Sequence, residues 1–178
     1  MTLLATYYDP QLPTLLFSLH PAAAAAIENG TKVLEYRRRF YPRAFQALIY
    51  VTGPQGGVRL YVRCAPAFKR SPATLAELGH RVQGDQRADV MAYFDGTPVG
   101  MALAVTAQVA FKTVDLPTLR QQFPNFVTPR GYVFLDRPAR QEQLAYLLAH
   151  PCSTGLRLTN AAARTTRILA TIDGQALD

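Results

Sequence analysis

One long alternation dominates the hydrophobic pattern of this chain. From Gly100 to Val114, the residues Met101, Leu103, Val105, Ala107, Val109 and Phe111 fall on one side of an extended segment, which predicts the longest strand. Four further strands read as short apolar runs. Leu15–Leu19 and Ala47–Thr52 are continuous and predict buried strands; Tyr132–Leu135 predicts another. Val58–Cys64 alternates, which places Val58, Leu60, Val62 and Cys64 inward and Arg59, Tyr61 and Arg63 outward. The loop Gly53–Gly57 makes Ala47–Cys64 a hairpin. Thr31–Arg37 predicts a strand with a mixed pattern, Val33, Glu35 and Arg37 on one face and Lys32, Leu34 and Tyr36 on the other. Neither face is purely apolar, as expected of a strand bordering a solvated cleft.

Helical signals fall between these strands. Pro21 opens a short alanine-rich helix that Gly30 stops. Ser71 or Thr74 caps a second helix through Leu75 and Leu78, and Ala88–Phe94 forms a third, with Gly79–Asp89 read as a polar, mobile loop. Leu116-Pro117 opens a helix that Phe123-Pro124 closes, and Pro138–His150 is amphipathic with Leu144, Leu147 and Leu148 inward. The expectation is five or six strands with short helices inserted between them, an α+β chain on a mostly antiparallel sheet or barrel. Residues 1–150 are expected to form one domain. Residues 151–178 form an extension carrying one more strand, over Thr166–Ile172, or a partly ordered tail.

Composition narrows the setting. A chain of 178 residues, 49% hydrophobic, suits a single globular domain. No apolar run reaches the roughly 20 residues of a membrane span. Met1–Pro10 lacks the basic flank and apolar core of a secretion signal. Cys64 and Cys152 are too few and too far apart for a disulfide framework or a zinc site, and His20, His80 and His150 are scattered. A cytoplasmic protein without metal or cofactor is expected, and its oligomeric state is left open. Gly53–Gly57 is not a nucleotide-binding loop, because no helix or lysine follows it.

Charge changes the picture more. Residues 31–70 hold nine basic residues against one acid, Glu35, a net +8; the remainder holds ten basic and eleven acidic residues, a net −1. Seven of the nine are arginines, whose planar fork suits phosphate. Tyr36, Phe40, Tyr41, Tyr50 and Tyr61 interleave with them, as stacking surfaces for bases or as core.

Leu16-Phe17-Ser18-Leu19-His20-Pro21, followed by Gly30-Thr31-Lys32-Val33-Leu34-Glu35-Tyr36-Arg37-Arg38, resembles the signature of the ASCH domain family. That signature is a strand ending in "SIKP" or similar, a short helix, then G-x-K-x-x-E-x-R-R. The similarity continues through Ile49–Pro54 and at Phe123–Phe126 and Thr128–Tyr132. The resemblance implies a PUA-like β-barrel and RNA binding, with the motif lining a cleft. On this reading Lys32, Glu35, Tyr36, Arg37, Arg38, Arg59, Tyr61 and Arg63 bind single-stranded or modified RNA, or a nucleotide. The alternative it implies is a metal-independent hydrolase of RNA or of a modified nucleoside such as acetylated cytidine, with Lys32 and Glu35 catalytic. One family branch cleaves that amide with a lysine, a threonine three residues later and a downstream glutamate. Here Glu35 stands at the threonine's place, and only Thr31 or Thr52 is left to substitute in space.

Overall fold

Strand β6 (Gly100–Asp115) is the spine around which the other strands are arranged. The computed structural model describes residues 1–175. Along one edge β6 pairs with β4 (Gly57–Cys64) and β5 (Phe68–Arg70); along the other it pairs with β2 (Leu34–Arg37) and the two-residue β8 (Arg157–Leu158). The sheet continues from β4 to β3 (Phe45–Val51), to β1 (Thr14–Leu19) and to β7 (Tyr132–Phe134). It curls into a half-barrel of PUA-like type. All pairings are antiparallel except β1 with β3. That pair is parallel because helix α1 (Pro21–Asn29) and β2 form the crossover between them.

Three apolar clusters fill the spaces this creates. The concave face buries Leu15, Phe17, Phe45, Ile49, Leu60 and Val105, with Ala24 and Ile27 of α1. One outer face packs Leu16, Leu48, Tyr61 and Phe111 against a 3-10 turn (Leu4–Tyr7), α4 (Leu116–Gln122) and α5 (Gln141–Leu148). The other packs Leu34, Ala102 and Ala104 against α2 (Pro72–Gln83), α3 (Arg87–Tyr93) and α6 (Ala161–Gln175). With both faces covered, β3 is buried at every residue, which is why it reads as an unbroken apolar run.

Local signals place the elements that matter for the site. Pro21 sits at the first turn of α1, and Gly30 ends it at φ 84°, a left-handed conformation that favours glycine. Ser71 caps α2 through the Thr74 N–H at 3.3 Å. Glu77 of α2 joins Arg81 on the same helix and Arg87 of α3, each at 2.6 Å. The two guanidinium groups hold its carboxyl down at about 2, from an ordinary 4.5. The ionised form is the bonded one, so its contribution is full above pH 4.5 and is lost as pH falls through about 2. Glu77→Gln is therefore expected to lower Tm slightly at pH 7, as exposed pairs do, with the difference from wild type shrinking steadily in melts below pH 4.5.

The structure corrects five sequence expectations. Met101, Leu103, Val105, Ala107, Val109 and Phe111 do not share one side of β6: Leu103 and Val105 lie in the concave cluster, Val109 and Phe111 in the outer one. Among the described residues eight strands form rather than five or six. Gly79–Asp89 is not a loop: α2 runs to Gln83 and α3 begins at Arg87. Thr166–Ile172 is not a strand but part of α6, with Ala161, Thr165 and Leu169 buried at four-residue spacing. β-Branched residues suggested a strand; burial follows the helical period instead. The final three residues of the extension, 176–178, lie outside the described part. Lastly, Val58 and Leu60 do not share a face. Pairing on both sides of β4 shifts register at Arg59, so Val58 joins the outer core while Leu60 joins the concave one.

Candidate functional site

Strand β2 sends its side chains to opposite sides of the sheet. Leu34 and Tyr36 turn outward under α2 and α3, while Glu35 and Arg37 turn toward the mouth of the half-barrel. Glu35 bridges two cations, Lys32 Nζ at 3.4 Å and Arg37 Nη2 at 3.3 Å. Their side chains are 13% (Glu35), 19% (Lys32) and 22% (Arg37) exposed, so solvent only partly screens them. Arg37 Nη2 also donates to the Ser18 carbonyl at 3.0 Å, and the guanidinium lies 5.3 Å from the Phe17 ring centre and 5.5 Å from that of Phe40. These contacts fix the arginine in one orientation.

Tyr36 holds the opposite side. Its hydroxyl donates to Asp85 Oδ2 at 2.5 Å, and the same oxygen accepts from Gln83 Nε2 at 2.8 Å. Gln83 Oε1 in turn accepts the Val33 and Leu34 N–H groups, both at 2.8 Å. Burial, with Asp85 facing it, pushes the Tyr36 phenol far above its ordinary range. A Cβ at Gly79 would collide with the Tyr36 hydroxyl, so the close helix–strand approach needs glycine there. Tyr36 is thus a clamp between β2 and the α2–α3 turn; its ring packs on Phe94.

Three open cavities adjoin along this surface. Lys32, Glu35, Tyr36, Asp85, Asp89 and Tyr93 line one of about 310 Å³. Arg37, Arg38, Arg39, Phe40, Tyr93 and Arg130 line the next, about 620 Å³, with no carboxylate among its residues. Arg130 continues into a third of about 390 Å³ beside Asn125, Thr128 and Gln143. Tyr93, shared by the first two, is 42% exposed. Its carbonyl accepts Arg38 Nε and Nη2 at 3.0 and 2.8 Å, and its hydroxyl donates to the Tyr36 carbonyl at 3.1 Å. Ser18 brings Arg130 to the same place: its carbonyl holds Arg37 while its hydroxyl donates to the Pro129 carbonyl at 2.8 Å.

No family model matches this sequence, and no curated protein matches it. Solved structures do. The crystal structure of ASCH from Zymomonas mobilis aligns with a TM-score of 0.66 at 25% identity, over 76% of this chain and 95% of that one. A serine-to-alanine variant of the Zymomonas mobilis protein aligns at 0.67 and 26%, over 78% of this chain and 99% of that one. A tyrosine-to-phenylalanine variant gives 0.67 and 25%, over 76% and 98%. The chain carries an ASCH domain.

Within this ASCH domain the signature residues divide by role. Gly30 is the turn, Glu35 ties Lys32 to Arg37, and Arg38 docks on Tyr93. The two threonines left for an amidohydrolase are engaged elsewhere: Thr31 with Asn29 and Ala26, Thr52 with the Leu19 carbonyl and, at 3.5 Å, His20. Neither hydroxyl hydrogen-bonds Lys32 or Glu35.

Arg59, Tyr61 and Arg63 are not brought to this groove. Tyr61 is fully buried in the outer core rather than outward-facing, its hydroxyl 2.7 Å from Gln46 Oε1 and 2.9 Å from the Tyr7 carbonyl. Arg63 donates to that hydroxyl at 3.0 Å and to the Tyr7 carbonyl. Arg59 lines a different cavity. Phe40 and Tyr41 pack with Phe45 and Tyr132, and Tyr50 is buried. Sequence reasoning left Arg39, Tyr93, Asp85 and Arg130 out of the site. All but Arg39 lie far from β2 in the chain, and of those three only Arg130 sat within a segment that resembled the family. Among the described residues no cluster of His, Cys, Asp or Glu is arranged to hold a metal, and no helix is long and apolar enough to cross a membrane.

Proposed function

We propose that this ASCH domain binds RNA, single-stranded or carrying a modified base, along the groove from Lys32 to Arg130. The observation that carries the reading is the pairing of unlike cavities. One presents four arginines and no carboxylate; its neighbour presents Glu35, Asp85 and Asp89. Arginine forks suit backbone phosphates, and carboxylate acceptors suit the exocyclic amines of an unstacked base. Tyr93, exposed at the junction and anchored at both ends, offers a ring for stacking. A cavity of about 310 Å³ is at the lower end of the range for small-ligand sites, room for one base rather than a duplex. The setting is cytoplasmic on this reading, and binding needs no cofactor. The hydrolase reading has Lys32 and Glu35 in contact but no threonine hydroxyl bonded to either, so binding is the reading favoured.

Fluorescence anisotropy with a labelled unstructured RNA twelve-mer, compared with the same sequence as a duplex, tests this. The single strand is expected to bind at least about tenfold tighter, since A-form pairing withholds the base edges. Equal affinity for the duplex would contradict a base-accepting cavity, and shortening of the single strand during the titration would move the reading to the hydrolase.

A further inference from the structure

Arg59 lies where the sheet loses register on both sides. On β3, Ile49 pairs with Leu60 and Tyr50 with Val58, which leaves Arg59 without a partner. On β6, Val58 pairs with Val114 and Leu60 with Ala110, so the three residues Phe111 to Thr113 lie opposite Arg59 alone. Such bulges bend a strand and re-aim a side chain. Here the side chain lines a cavity of about 560 Å³ between the Gly53–Gly56 turn and the start of α4. Arg59 Nε is buried without a hydrogen-bond partner, and no carboxylate among the described residues pairs with the guanidinium. Arg37, Arg63 and Arg70, the other half-buried arginines of the basic segment, each bond through at least one guanidinium nitrogen, even though Arg37 Nε too lacks a partner. Among the described residues no side-chain hydrogen bond or ion pair holds Arg59. A desolvated, unpaired donor is costly, and an oxyanion would relieve that cost.

The rest of the lining narrows the ligand. Asp115 is the only other charged lining residue, and its Oδ1 accepts the Thr118 N–H at 2.8 Å as the cap of α4. Pro54 and Pro117 give apolar wall, and Gln55 and Tyr50 give polar groups. The volume exceeds what a bare ion needs and falls within the small-ligand range. The cavity shares no lining residue with the three that make up the groove.

We propose that this cavity is a second anion site, taking a phosphate monoester of mononucleotide size, with the phosphate on the Arg59 fork and the Asp115 carboxylate accepting from a sugar hydroxyl or base amine. It does not depend on RNA binding in the groove. The ligand's phosphate has two sources, a free small molecule or an RNA backbone, and the separation from the groove selects the small molecule.

Calorimetric titration with 5′-AMP, adenosine and the RNA twelve-mer tests it, on wild type and on Arg59→Gln, Arg59→Lys and Arg37→Ala. AMP is expected to bind wild type and Arg37→Ala saturably and alike. Adenosine is expected to bind at least about tenfold more weakly, and Arg59→Gln to lose at least about tenfold toward AMP. Arg59→Lys keeps the charge in the bulge and loses the fork, so it is expected to fall between; its circular dichroism spectrum reports whether the bulge tolerates substitution. The proposal is overturned if wild type shows no saturable AMP binding, if both Arg59 variants bind AMP as wild type does, or if Arg37→Ala abolishes it. Displacement of AMP by the RNA would also overturn it, since the phosphate would then come from the strand.

Discussion

Gln46→Leu is expected to destabilise the protein by about 2–4 kcal/mol, near the upper end for a single substitution. Gln46 is fully buried and joins three segments. Its Oε1 accepts from the Asp9 N–H at 3.0 Å and faces the Tyr61 hydroxyl at 2.7 Å. Its Nε2 donates to the Asp9 and Leu12 carbonyls at 2.5 and 3.1 Å and to Thr14 Oγ1 at 3.0 Å. Leucine has similar volume but satisfies none of these, and each buried group left unpaired costs about 1–3 kcal/mol before relaxation. A Tm drop of roughly 5–15 °C should accompany the loss. Tyr61→Phe removes one member only and is expected to cost about 1–2 kcal/mol. Urea denaturation of the two variants checks both values. A loss below about 0.5 kcal/mol for Gln46→Leu would mean that water replaces the network freely.

Arg37→Ala is expected to weaken binding of single-stranded RNA by about 10- to 100-fold, the equivalent of roughly 1.5–3 kcal/mol for a charge-assisted contact. Arg37 is preorganised: Nη2 is committed to Glu35 and Ser18, Nε is buried, and Phe17 and Phe40 fix the plane. That leaves Nη1 to meet a phosphate in the arginine-lined cavity already oriented. Glu35 keeps Lys32 as a partner, so the strand is expected to remain folded. Arg37→Lys retains the charge and loses the fork; a loss of several-fold is expected there. If lysine restores full affinity, Arg37 acts as a point charge and its orientation is irrelevant.

Much of this architecture was legible in the sequence, and the failures share a cause. Gly100–Val114 and Leu15–Arg38 carry clear extended patterns and strong punctuation by Pro21 and Gly30, and the elements form where they were read. The faces do not: Leu103 and Val105 lie in the concave core and Val109 and Phe111 in the outer one. β2 starts only at Leu34, with Lys32 on the side of Glu35 and Val33 on the side of Tyr36. Val58 was misplaced because alternation counted through Arg59, and a register shift leaves no trace in the sequence of one strand. Tyr61 and Arg63 do lie opposite Leu60 and Val62, but the N-terminal segment covers that face and binds both through Tyr7, some fifty residues earlier. Asp85 and Gln83 sit in a polar run that reads as a loop. They are held by β2, some fifty residues earlier, and that partner is invisible locally. Arg130 joins Arg37 through Ser18 for the same reason. The charge count singled out residues 31–70 as a whole and could not separate Arg37, Arg38 and Arg39, which line the groove, from Arg59 and Arg63, which do not.

The central claim is that the arginine-lined cavity takes RNA phosphates. The slope of log affinity against log salt measures this directly, between about 50 and 200 mM, for wild type and for the double variant Arg39→Gln, Arg130→Gln. Both side chains are exposed and without salt bridges among the described residues, so fold should be preserved. For single strands the slope is about −0.7 per phosphate neutralised. Four arginines then predict about −2.8 for wild type, and the double variant about −1.4. An unchanged slope and affinity in the double variant, or a wild-type slope near zero, would contradict the account.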